Sequence, residues 1–110
     1  MKTTIYVLAK KSTLWKTGYD YEFDLTIKKV AYWFNDILLQ QGWVDLNTVL
    51  SSLGFPKEID KVALGWKLDY LFDFNNYGIG IEIVTKDDDE YIAFHNIVNL
   101  LEEVRNDENQ

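Results

Sequence analysis

Few side chains in this 110-residue chain have the types and spacing from which catalysis or ligand binding is built. His95 is the single histidine, so no two-histidine metal site, no HExxH pair and no pair of acid–base imidazoles can be assembled. Cysteine is absent, which removes disulfides, thiolate zinc sites, iron–sulfur clusters and thiol nucleophiles and fits a reducing compartment. Ser51-Ser52 falls inside a helical pattern without the Gly-x-Ser-x-Gly elbow of a serine hydrolase. Gly78-Ile79-Gly80 lacks the third glycine and the following helix of a phosphate-binding loop, and it alternates like a strand. His95 itself falls where a strand gives way to a last helix and reads as a turn or cap residue, not a catalyst. The expectation is a protein with no enzymatic activity and no cofactor or metal.

Carboxylates form the more promising set. Asp20, Glu22 and Asp24 alternate with Tyr19, Tyr21, Phe23 and Leu25, and on a strand they would share one side with about 6–7 Å between successive members. Asp69, Asp73 and Glu82 offer a comparable face further on. Hard cations need convergent oxygens, so a flat row of acids holds Mg²⁺ or Ca²⁺ weakly. Asp87-Asp88-Asp89-Glu90 lacks the spacing of a calcium loop and reads as a solvated turn. A rigid acidic row can instead imitate the phosphates of a nucleic-acid backbone and enter a basic groove of a protein. Asp20, Glu22 and Asp24 are therefore candidate partner-binding residues.

Rings supply the other candidate surface. Six Phe, seven Tyr and four Trp are more than the centre of so small a domain accommodates, and Tyr and Trp left outside commonly anchor interfaces. Trp33 lies off the Val30–Phe34–Ile37 core stripe and Trp43 sits at a joint, so both join the candidate partner-binding set, with Trp15 a third ring to place. A net charge of −7 disfavours direct contact with a polyanion, so nucleic acid is not an expected ligand. The longest apolar run, Val30 to Phe34, is far short of the roughly 20 residues that span a bilayer, and the stretch from Ile5 to Ala9 is short for a signal-peptide core. The expected location is the cytoplasm.

The chain has no repeat, no linker and one proline, Pro56, which predicts a single compact domain over 1–110. Residues 3–9 read as a strand, and the strict alternation over 19–25 reads as a second. Thr26 is then placed to cap a helix over 26–41 carrying Ile27, Val30, Ala31, Phe34, Ile37 and Leu38 and stopped by Gly42. Trp43-Val44 is a short extended link. Asp45 caps a second helix over 45–53 with Leu46, Val49, Leu50 and Leu53, ended by Gly54. Val62 to Trp66 reads as a strand, with Gly65 marking a bulge or the close approach of another backbone. Residues 68–74 and 77–85 read as a hairpin about Asn75-Asn76, followed by a turn at 86–89, a strand over 90–94, and a helix over 96–105 carrying Ile97, Leu100, Leu101 and Val104. Asn35 and Asn47 fit structural roles as partners for free backbone groups at helix ends.

One block is similar to a known pattern. Ala31, Phe34-Asn35, Gly42-Trp43-Val44-x-Leu46-Asn47, Leu53-Gly54 and Gly65-Trp66, with Phe72-Asp73-Phe74 behind them, resemble a family of small uncharacterised proteins of phages and mobile elements. Its members show an A-x-x-x-[L/F]-N helix, a G-[Y/W]-V-x-L-N joint, an L-G helix end and a G-W strand. The resemblance spans roughly 31 to 74 and rests on packing and turn residues. It implies a fold and a genomic context, not an activity.

The elements predict an α+β fold: an antiparallel β-sheet of about five or six strands with helices packed on one face. The expected function is that of an acidic protein-interaction module, an accessory protein of a phage or mobile element, whose partner is another protein. The alternative is an acidic decoy that inhibits a host nucleic-acid enzyme of the restriction or CRISPR type, and the third is a carboxylate- or metal-dependent enzyme.

Overall fold

A computed structural model describes residues 3–15, 21–56, 63–68 and 78–101. Five strands and two helices are found among them: β1 (Thr3–Leu8), α1 (Tyr21–Gln41), β2 (Trp43–Asp45), α2 (Leu46–Ser52), β3 (Leu64–Lys67), β4 (Gly80–Lys86) and β5 (Asp89–Asn99), with a 3₁₀ turn at Ala9–Lys11. The architecture is α+β, as the grouping of the patterns predicts. All strand pairs are antiparallel, in the order β1-β5-β3-β2 with β4 also joined to β5. The eleven residues of β5 thus form the hub of the sheet.

The helices cover one face. Phe23, Ile27, Phe34 and Leu38 of α1 are buried, as are Leu46, Val49 and Leu50 of α2, against Trp66, Ile92, Phe94 and Ile97 of the sheet. Ile81 and Ile83 of β4 pack on the same cluster. Trp15 belongs to its margin, edge-on to Phe23 with ring centroids 5.1 Å apart.

The capped corner forms as its residues dictate. Gly42 ends α1 with φ +88°, a conformation that a Cβ disfavours. Asp45 caps α2, its carboxylate accepting from the Thr48 amide at 3.1 Å and from the Thr48 hydroxyl at 2.6 Å, and Gly54 follows at φ +83°. At Gly65 a Cβ would collide with the carbonyl oxygen of Val44, so close backbone approach, not a bulge, explains this glycine.

Two elements differ from expectation. Residues 21–25 are the first turns of α1, not a strand. Phe23 stands four residues before Ile27 and extends the buried stripe, and each residue added to an existing helix gains a backbone hydrogen bond, so the 3.6 period prevails over the alternation. Thr26 is accordingly not a cap; its hydroxyl donates to the Glu22 carbonyl one turn back, at 2.9 Å. Second, residues 96–99 continue β5, so the expected last helix does not open at 96, although Leu100 and Leu101 are helical. Thr3 pairs with Ile97 but Ile5 with Phe94, so β5 carries one extra residue here, and Asn96 takes φ +65° within this bulge. Ile97 is buried three places after Phe94, a spacing that imitates a helical face. The expected strand over 68–74, the turn at Asn75-Asn76 and residues 102–105 of the expected last helix lie outside the described residues, apart from Leu68 itself.

Candidate protein-interaction surface

Helix α1 has two apolar sides. The inner one is the core stripe already described. On the outer side Tyr21, Leu25, Tyr32 and Leu39 recur at helical spacing and are exposed, Tyr32 to 82%. Lys28, Lys29 and Asp36 are exposed among them. A helix needs one apolar face to fold onto a domain, and among the described residues nothing covers this second stripe.

Two of the expected residues are exposed, Trp33 on α1 beside this stripe and Trp43 just beyond the end of the helix. Trp33 is 58% exposed and leans on Phe34, with ring centroids 5.0 Å apart, so its position is fixed by a core residue. Trp43 is 49% exposed in β2, directly across from Lys67. The Gln41 side-chain amide donates to the Trp43 carbonyl at 2.6 Å and holds the joint after the helix. Tyr21, Leu25, Tyr32 and Leu39 were not singled out by the sequence reading, although their spacing was available in it.

The acidic row dissolves on the helix. Asp20 lies outside the described residues. Glu22 and Asp24, two positions apart, leave the axis about 200° from one another instead of sharing a side. Both lie in the first turn of α1, where negative charge opposes the positive end of the helix dipole. Asp24 also pairs with Lys28 at 3.1 Å, an i,i+4 contact.

The opposite face of the sheet carries the only histidine. His95 is not at a strand end: it sits within β5 and links three strands, its Nδ1 3.0 Å from the Thr4 hydroxyl and its Nε2 3.2 Å from the Glu82 carboxylate. Hydroxyl, imidazole and carboxylate stand in a row, but on an open sheet surface, with the Glu82 side chain 61% exposed. The row ties β1, β5 and β4 laterally. Beside it a cleft of about 210 Å³ is lined by Tyr6, Val84, Lys86, Asp87 and Tyr91, smaller than the roughly 300–1,000 Å³ typical of ligand pockets. Among the described residues no three His, Asp or Glu side chains gather into a group that would hold a metal.

A family model covers residues 8–101 of the chain. The chain belongs to DUF6353, a family of unknown function. That match takes in both helices and all but the first strand, so the DUF6353 region includes the whole outer face of α1. No curated protein and no solved structure matches the chain. Among the described residues of this DUF6353 chain, no helix is long and apolar enough to cross a membrane.

Proposed function

We propose that this protein is a binding domain, without catalysis of its own, that docks on a protein partner through the outer face of α1. The observation that carries the reading is the second apolar stripe, Tyr21, Leu25, Tyr32 and Leu39, exposed on a helix whose other side already satisfies the core. Tyr and Trp are among the residues most enriched where interfaces concentrate their energy, and Trp33 adds an exposed ring beside the stripe. The resemblance of residues 31–74 to small phage and mobile-element proteins supports a role as an accessory protein acting in the cytoplasm of a host cell. An acidic decoy would need carboxylates spaced along one rigid face. With Glu22 and Asp24 on different sides of α1, that alternative loses the feature on which it stood.

The test is capture from a bacterial lysate by the tagged protein, read by mass spectrometry, alongside Tyr32→Asp and Trp33→Ala variants whose folding is verified by melting. A partner held by the native protein and lost from both folded variants is the expected result. Retention of every partner by both variants would overturn this assignment of the surface.

A further inference from the structure

We infer that the outer face of α1 takes a second copy of this chain, seated antiparallel across a two-fold axis at Tyr32. The inference rests on α1 being the docking face and names its occupant. Seen down the helix, Tyr21, Leu25, Lys28, Tyr32, Asp36 and Leu39 all lie within about 40° of the direction of Tyr32. A two-fold axis between the two helices, perpendicular to both at the height of Tyr32, brings each position 32 − n of one copy level with position 32 + n of the other. Leu25 meets Leu39 of the second copy, Lys28 meets Asp36 of the second copy, and the two Tyr32 rings, the most exposed large side chains of the stripe, meet at the centre.

Charge selects both the occupant and its direction. A chain of net charge −7 repels its own kind over most of its surface, yet this strip carries Lys28 and Lys29 against Asp36 and, at its edge, Asp24, so it is close to neutral. The Lys28 side chain is 70% exposed even while its ammonium touches Asp24. A parallel pair would set Lys28 on Lys28 and Asp36 on Asp36, whereas the antiparallel pair joins opposite charges twice. The exposed parts of Tyr21, Leu25, Tyr32 and Leu39 amount to roughly 400–500 Å² per chain, so a pair buries at most about 800–1,000 Å², the range of weak, transient contacts. That size fits a reversible dimer and not an obligate one.

Sedimentation equilibrium with charge reversals tests the arrangement. The native protein should rise from the 12.9 kDa chain mass toward twice that value as its concentration increases from about 1 μM to about 500 μM. Lys28→Glu alone and Asp36→Lys alone should each weaken association about tenfold, since each sets like charges together at both ends of the contact. An equimolar mixture of the two variants should recover it, because only the mixed pair restores both opposite-charge contacts. A native protein that stays monomeric throughout, or a mixture no tighter than its components, would overturn the antiparallel dimer. Capture of a different protein by native but not Tyr32→Asp chains would then still support the docking face, so the two failures are distinguishable.

Discussion

The side-chain amide of Asn35 brackets the backbone of Ile79: its Oδ1 accepts from the Ile79 amide at 2.6 Å, and its Nδ2 donates to the Ile79 carbonyl at 3.2 Å. Asn35 thus acts as a strand of one residue, tying the middle of α1 to the entry of β4 across 44 positions of sequence. Its role is structural, as the sequence suggests, but it serves the start of a strand and not a helix end. Asn35→Ala leaves both groups of the buried Ile79 without this partner and should cost about 2–3 kcal/mol in urea unfolding. Asn35→Asp keeps an acceptor but loses the donor, so it should not restore the native midpoint. A loss below about 0.5 kcal/mol for Asn35→Ala would mean that water replaces the amide freely.

Gly42 and Gly65 separate two reasons for glycine. At Gly42 no atom lies within 4 Å of where a Cβ would stand, so Gly42→Ala meets only the positive φ and should cost about 1–2 kcal/mol. At Gly65 the obstacle is the backbone of β2, which cannot swing aside, and Gly65→Ala should lose at least about 3 kcal/mol or fail to fold. Thermal unfolding of the two variants side by side gives the comparison. Equal losses would refute this assignment.

The turn between β4 and β5 offers a gain. Asp87 and Asp88 take φ +52° and +68°, and the flanking Lys86 and Asp89 pair across the hairpin, which is the geometry of a type I′ turn. Asn and Gly adopt these angles with less strain than Asp, and removing two adjacent negative charges relieves repulsion. The double change Asp87→Asn with Asp88→Gly should therefore stabilise the chain by about 0.5–1 kcal/mol, seen as a higher urea midpoint at unchanged slope. A lower midpoint would show that these aspartates serve something other than the turn.

What could be read from the sequence follows from how local each signal is. The corner at Gly42, Asp45 and Gly54 was legible because caps and stops act over three or four residues. The stretch from Tyr21 to Leu25 was not, since its alternation competes with the register of Ile27 and Phe34, and only packing decides between two periods. In β5 the bulge at Asn96 shifts the phase of burial, so that Phe94 and Ile97 look like neighbours on a helix. Trp33 is exposed as its place off the core stripe suggests, and Trp43 as its place at a joint suggests. The outer stripe at Tyr32 acquires meaning only once the inner one is known to be filled.

The most direct measurement of where this protein touches its partner is hydroxyl-radical footprinting of the assembled form, with a captured protein or with a second copy, against the dilute free chain. Tyr21, Tyr32 and Trp33 on α1 should lose at least about threefold in modification on assembly, while Tyr6 and Tyr91 on the opposite face of the sheet should keep theirs. Protection of Tyr6 and Tyr91 with Tyr32 left fully reactive would contradict the assignment and move the interface to the open face of the sheet.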